Sequence, residues 1–301
     1  MGRATPARKE TAMKRRRPGT AILLFVFWAL AACGPKASEP PPGPLHILIS
    51  NDDGIEDPGL EALFEALLPL GTVTVAAPHI DRSGASHGVT SNRPIGVTGT
   101  TRDGMSWFAI DALPATCVRL AIEKFLPEKP DMVVSGINVG ENLGTVTFYS
   151  ATVGAAREAT FLGVPAMAVN LARGPERDPR AAARIVAALV GRLGRDPFPK
   201  GVFINVNIPP LPAERIKGVR ITRQDPRAPL NFFEKTATPD GGTEYKPSWK
   251  HLEPAGKDTD IWAVRNGYVS VSVFGIDQSA AAGKAARRAL RRLEKLSLQG
   301  Y

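Results

Sequence analysis

Apolar residues bunch along this chain in short continuous runs. LHILIS (45–50), TVTVAA (72–77), SWFAI (106–110), DMVVSG (131–136) and VPAMAVNL (164–171) are the clearest. Their length and their content of Val, Ile and Leu predict strands buried on both faces. Between them the spacing becomes helical. Asp57-Pro58 reads as an N-cap and first helical position, and GLEALFEALLPL continues with apolar residues three and four apart. Residues 114–126, ATVGAAREATFLG (151–163) and residues 178–194 are the next predicted helices. Strand and helix thus alternate from residue 45 to about residue 194. That alternation predicts an α/β fold of three layers, a mostly parallel sheet covered by helices on both sides.

The pattern changes near residue 200. FINVNIP and GVRITRQ alternate like two-faced strands, YVSVSVF (268–274) reads as another strand, and a helix is expected from about Ser279. Residues 224–258 are rich in Pro, Gly and charge and read as irregular. A strand-rich C-terminal extension, shared between subunits, is the expectation. Residues 79–104 read as one long polar, Gly-rich loop, of a kind that usually serves function.

The amino-terminal segment has its own grammar. MKRRRPGTAILLFVFWALAAC places a basic stretch before an apolar core, Ala21 to Ala32, and ends in small residues and Cys33. This predicts a secretory signal whose core is short for a bilayer span. Leu30-Ala31-Ala32-Cys33 resembles a bacterial lipobox, in which the cysteine becomes the lipidated first residue of the mature chain. An uncleaved anchor or an ordinary buried cysteine are the alternatives. The Pro-rich GPKASEPPPGP that follows favours lipidation, because it reads as a tether between membrane and domain. The expected organisation is a signal peptide over 1–32, a tether over 33–44 and one α/β domain over 45–301, exported and held on a membrane facing the periplasm or the cell exterior.

Charge supports this division. Residues 1–33 carry seven basic residues against Glu10, and so hold +6 of the net +9. The remaining chain is only weakly basic, and no specific nucleic-acid partner is expected. The last predicted helix sets Lys284, Arg287, Arg288, Arg291, Arg292 and Lys295 against Glu294, which reads as a solvated basic face. With Cys33 lipidated, Cys117 stands alone and no disulfide forms. Its setting, LPATCVRLAIEKFL, predicts a buried, inert thiol.

Candidate chemistry follows from which loops leave the carboxyl ends of the strands, where open parallel sheets bind ligands. One carries Asn51, Asp52, Asp53 and Gly54. A second carries Asp81, Arg82, Ser83, Gly84, Ala85 and Ser86. A third carries Ser135, Gly136, Ile137, Asn138, Gly140, Asn142 and Gly144. All are oxygen donors or glycines, and no Cys or His pair has zinc spacing. Hard oxygen donors suit Mg²⁺, Mn²⁺ or Ca²⁺. A cation also resolves the repulsion within Asp52-Asp53. The plain alternative is a turn leading into a helix, but Asp57 already serves as the cap. The third loop feeds a helix beginning Ser150-Ala151-Thr152, a setting that attracts phosphate. Metal and anion cradle together point to metal-assisted phosphate hydrolysis.

ISNDDGIEDPGLEAL, VAAPHIDRSGASHGVT, PDMVVSGINVGENLG with YSATVGAAREATFLGVPAMAV, and GYVSVSVFGID together resemble the SurE family of metal-dependent phosphatases, the 5′/3′-nucleotidases. The resemblance runs from about Leu45 to Asp277. It implies a Rossmann-like fold, and dimers or tetramers that exchange C-terminal elements. It implies one Mg²⁺ or Mn²⁺ per subunit on Asp52, Asp53, Ser83 and Asn138, with Asp52 and Asp53 at the catalytic centre. It implies phosphate near Asn142, Ser150 and Thr152, and a nucleoside monophosphate or other small phosphomonoester as substrate. The chain departs from the family pattern at Ala112, Thr116, Ala151 and Ala281. These departures keep open a second reading, a non-catalytic nucleotide- or phosphate-binding lipoprotein that retains fold and metal. Two side chains stay with two readings each. His87 is a general acid or neighbour of the site, or an exposed loop histidine; Arg82 is a phosphate clamp or a loop-stabilising residue.

Overall fold

The structure is a computed structural model and describes residues 43–195, 198–227, 230–250, 253–278, Arg288 and Arg291. The expected signal peptide, Cys33, the tether up to residue 42 and the helix expected from Ser279, apart from Arg288 and Arg291, lie outside the described residues. Among those described, no helix is long and apolar enough to cross a membrane.

The chain runs β1 (Leu45–Ser50), α1 (Pro58–Leu67), β2 (Gly71–Pro78), β3 (Val97–Arg102), β4 (Met105–Ile110), α2 (Pro114–Leu120), β5 (Met132–Val139) and α3 (Ala151–Phe161). It continues with β6 (Ala166–Leu171), α4 (Pro179–Leu193), β7 (Val202–Ile208), β8 (Val219–Thr222), β9 (Leu230–Ala237), β10 (Thr243–Lys250), α5 (Asp260–Arg265) and β11 (Val269–Gly275). Nine strands form one sheet in the order β3-β4-β2-β1-β5-β6-β7-β11-β8. The pairs from β4 through β2, β1, β5 and β6 to β7 are all parallel. β3 joins β4 antiparallel, β11 joins β7 antiparallel, and β8 lies parallel to β11.

Strand periodicity separates the two cores. In β1, Ile47 and Ile49 face α1 and α4, packing with Leu60, Leu63, Phe64 and Leu67 and with Ala182, Val186 and Val190. Leu48, between them, faces the other way, toward Cys117 and Val118 of α2 and Val153, Ala155 and Ala159 of α3. Alternate side chains of one strand thus serve opposite layers, and this makes the sandwich three layers thick. Phe64 meets Trp107 edge-on, ring centroids 5.0 Å apart. Burying each such large side chain contributes about 1.5–3 kcal/mol. Small residues let α3 come close: a Cβ on Gly154 would lie 2.4 Å from the Ser86 carbonyl oxygen. That contact seats the 79–96 loop on the helix.

Three expectations are corrected. The long loop predicted over 79–104 ends in β3, which pairs with β4 as a hairpin. Its side chains are nearly all exposed, so no apolar period marks it. The irregular 224–258 segment contains β9 and β10, an antiparallel pair separate from the main sheet. α5 was not expected; it is six residues long and is capped by Thr259, whose Oγ1 accepts the Trp262 N–H. The helix over 114–126 forms, with its last five residues, Ala121–Phe125, wound as a wider turn.

Candidate active site

The chain leaves β1 toward β2 on one side, while β5, β6 and β7 follow on the other. The order reverses between β1 and β5, and ligands of such folds bind outside the carboxyl ends at that point. Asn51, Asp52 and Asp53 leave β1 there, and Asn138 stands at the same end of β5.

The turn after β1 is built without the two aspartates. Asn51 is fully buried; its Nδ2 donates to the Gly54 oxygen at 2.8 Å, and the Gly54 N–H donates back to Asn51 Oδ1 at 3.3 Å. Gly54 sits at φ +107°, and a Cβ there would meet the Ile80 carbonyl carbon at 3.2 Å, so this position needs glycine. Asp57 caps α1, accepting from the Gly59 N–H at 2.7 Å and the Leu60 N–H at 3.2 Å. Turn and cap are complete, and Asp52 and Asp53 are not needed for either.

Asp52 is only 3% exposed, and Thr152 Oγ1 donates to its Oδ1 at 2.5 Å. Burial, with Asp81 adding to it, pushes the Asp52 carboxyl up to about 6. Burial, then the Asp52 and Asp57 charges, push Asp53 up to about 7, although the Val139 N–H donates to it. Asp53 Oδ2 is buried with no hydrogen-bond partner. Two adjacent carboxylates that resist ionisation, one with an orphaned oxygen, match a site for a hard cation.

The other sequence-predicted residues fall around this pair. Ser83 is exposed on the loop after β2, its N–H donating to Asp81 Oδ1 at 2.7 Å. The Arg82 N–H donates to the Asp52 carbonyl at 2.7 Å and brings that loop against the pair. Asn138 is half-buried; its Nδ2 donates to the Gly140 oxygen at 2.8 Å, leaving the amide oxygen out of that bond. Among the described residues no group of three or more His, Cys, Asp and Glu could hold a metal. A cation here must therefore take two carboxylates and complete its shell with neutral oxygens. Ser83 and Asn138 carry oxygens of that kind.

Ser150 is buried and caps α3, its Oγ accepting the Val153 N–H at 3.2 Å. Thr152, the second residue of α3, reaches Asp52 as above. Asn142 is 7% exposed and knitted to β6 and β7. Its Nδ2 donates to Asn170 Oδ1 at 2.7 Å, its N–H to Asn207 Oδ1 at 2.9 Å, and its carbonyl accepts Asn205 Nδ2 at 2.8 Å. The structure thus brings Thr152 to the carboxylates, caps the same helix with Ser150, and ties Asn142 into a buried asparagine cluster. Sequence reasoning missed Asn170, Asn205 and Asn207. The available signal was asparagine inside the apolar runs AMAVNL and FINVNIP.

Arg82 stabilises its loop: its Nη2 donates to Asp111 Oδ1 at 3.0 Å, and Arg93 Nη1 donates to Asp111 Oδ2 at 2.7 Å. His87 is partly buried and paired rather than an exposed loop histidine. Its Nε2 lies 2.8 Å from Glu158 Oε2, and Glu158 also takes Arg119 Nε at 2.5 Å. Burial pushes the Glu158 carboxyl up, but His87 and Arg119 outweigh it and hold it below the usual range. His87 therefore fastens the loop to α3 well down the helix from Thr152. Cys117 is buried, and burial pushes its thiol up, as an inert cysteine requires.

Residues 47–229 match the family model described as Survival protein SurE. The 5′-nucleotidase SurE of Alkalilimnicola ehrlichii is 45% identical over 235 residues, 77% of this chain and 90% of that protein. The 5′-nucleotidase SurE of Desulfitobacterium hafniense is 41% identical over 234 residues, 77% of this chain and 92% of that protein. The crystal structure of the SurE protein from Aquifex aeolicus superposes with a TM-score of 0.73 at 35% identity, covering 83% of this chain and 99% of that one. The paired carboxylates at the switch point, the parallel sheet that carries them and these four likenesses agree, and the chain belongs to the SurE family.

Proposed function

We propose that the protein is a metal-dependent phosphomonoesterase that hydrolyses nucleoside monophosphates, a 5′/3′-nucleotidase. The observation that carries this reading is the hydrogen bond from Thr152, at the start of α3, to the buried Asp52 carboxylate, whose neighbour Asp53 is half-buried with an unsatisfied oxygen. The relatives, themselves 5′-nucleotidases by name, support the substrate class. Asp52, Asp53, Ser83 and Asn138 are the residues that would hold one Mg²⁺ or Mn²⁺. When bound, such an ion supplies charge stabilisation at phosphorus and activates water for attack. The chain's own residues do the rest. The Thr152 hydroxyl orients Asp52. The N-terminus of α3, opened by Ser150, favours the phosphate's negative charge. Asn142 holds the glycine-rich turn from below. Asp52 and Asp53 form the catalytic pair.

The experiment is phosphate release from a panel of nucleoside monophosphates with Mn²⁺ or Mg²⁺. Turnover that chelation abolishes is the expected result. Absence of turnover on the whole panel in saturating metal would overturn it. Nucleotide binding in that case would leave the chain as a binding lipoprotein. At the departure Thr116, the side-chain Oγ1 accepts the Thr90 N–H at 2.8 Å and supports the loop. We further propose that the protein is exported, lipidated at Cys33 and a homodimer or homotetramer.

A further inference from the structure

The turn from Gly140 to Thr147 is gripped from two sides. One grip is the asparagine cluster of β6 and β7. The other comes from late in the chain. Gln224 Nε2 donates to the Gly144 carbonyl at 2.9 Å and to Thr147 Oγ1 at 2.8 Å. The Gly144 N–H donates to Asp260 Oδ2 at 2.8 Å. Asp260 is fully buried, and its other oxygen accepts the Asp225 N–H at 2.9 Å and the Ile261 N–H at 2.8 Å. Gly144 sits at φ +52°, and a Cβ there would lie 2.3 Å from the Arg227 carbonyl oxygen. The turn and the 224–227 segment are thus in direct backbone contact. Asp260 lies beyond residues 47–229, which the family model matches.

Asp260 accepts three backbone N–H groups and is closed to solvent, so it does not itself reach substrate. Its effect is geometric. It fixes Gly144, and Gln224 fixes both Gly144 and Thr147, three residues before the Ser150 cap of α3. We propose that Gln224 and Asp260 are positioning residues that hold the 140–147 turn in the geometry that receives the substrate phosphate. This rests on the reading above that phosphate binds at this turn and the start of α3. Loss of either grip frees the turn without touching Asp52 or Asp53. Phosphate binding then weakens while metal binding persists, because ordering the turn is left to be done at the moment of binding.

The test uses the full chain and the variants Gln224→Ala and Asp260→Ala. Two quantities are read by thermal shift: the response to Mn²⁺ alone, and the dissociation constant of inorganic phosphate in saturating Mn²⁺. KM and kcat for a nucleoside monophosphate are measured beside them. In both variants the phosphate constant and KM rise together by roughly tenfold, a loss on the scale of one or two hydrogen bonds. kcat falls less, and the Mn²⁺ response stays as in the wild type. Unchanged phosphate binding in the variants overturns the proposal. So does a parallel loss of the Mn²⁺ response, which would mark a general structural role. Gln224 is only half-buried, so Gln224→Ala decides the matter if Asp260→Ala does not fold. A wild type that binds phosphate without turnover sinks the proposed function and leaves this inference to be judged on the phosphate constant. A wild type that binds no phosphate sinks both.

Discussion

Asp52 and Asp53 show how a local pattern becomes a chemical demand. In water, neighbouring aspartates repel weakly. Past the carboxyl end of β1, with Asp52 buried and Asp53 half-buried, they repel more strongly, and one Asp53 oxygen is left without a hydrogen-bond partner. Asp53→Asn should therefore leave the metal-free protein as stable as wild type or slightly more so. It should also abolish most of the rise in melting temperature that Mn²⁺ produces. Melts of both proteins with and without Mn²⁺ decide it; equal shifts would remove Asp53 from the site. Glu158 behaves in the opposite sense. Its folded pKa lies below the ordinary 4.5, because His87 and Arg119 favour the charged form. Its stabilisation is therefore present above about 4.5 and is lost as pH falls through the lower folded value. Glu158→Gln should cost about 1.5–3 kcal/mol at neutral pH, the scale of hydrogen bonds to a charged group. Denaturant titrations should show that gap closing as the solution is acidified below pH 4.5. A gap that persists unchanged in acid would exclude the ionic account.

At the scale of elements, caps and faces decide what forms. α1 starts where Asp57 accepts two orphan N–H groups and Pro58 needs none to be satisfied. Asp57→Ala should cost about 1 kcal/mol of stability. Asp57 also raises Asp53 through its charge, so the same variant should ease ionisation of Asp53 and leave Mn²⁺ binding intact. Chemical denaturation and the Mn²⁺ shift together check both halves. Phe64, on the buried face of α1, packs edge-on against Trp107. Phe64→Ala should destabilise by about 3–5 kcal/mol through lost burial and a cavity.

Assembly and export belong to the whole molecule. β8 is an edge strand of the nine-stranded sheet, and it presents Val219 and Ile221, the latter 74% exposed. Val273 of the neighbouring β11 is exposed as well. Among the described residues these apolar side chains are exposed at the sheet edge, and the proposed homodimer or homotetramer would cover them. Light scattering of residues 45–301 should give at least a dimer mass at micromolar concentration. Ile221→Lys should shift it toward monomer, and a wild-type monomer would count against the assembly. Cys33→Ser should release the chain from the membrane fraction. Detergent-sensitive retention of a variant still processed at that site would refute lipid anchoring.

Much of this protein was written in its local sequence. Continuous apolar runs alternating with helical spacing specify a parallel sheet between two helical layers, because a strand without a polar face must be covered on both sides. Asp52-Asp53 and Asn138 declared themselves at strand ends, where short polar residues interrupt apolar runs. Other features had no local signature. β3 is exposed on nearly every side chain, and the β9–β10 pair stands apart from the main sheet, so neither imposes an apolar period that a reader could detect. Contacts that shape the site and the loops around it span great distances along the chain: Thr152 to Asp52 across 100 residues, His87 to Glu158 across 71, Asp260 to Gly144 across 116. A hydrogen bond depends on where two groups are in space, and sequence neighbours say nothing about groups so far apart. Only the tertiary structure decided that His87 fastens a loop, that four asparagines hold one turn, and that Gly144 is gripped by residues from the far end of the chain.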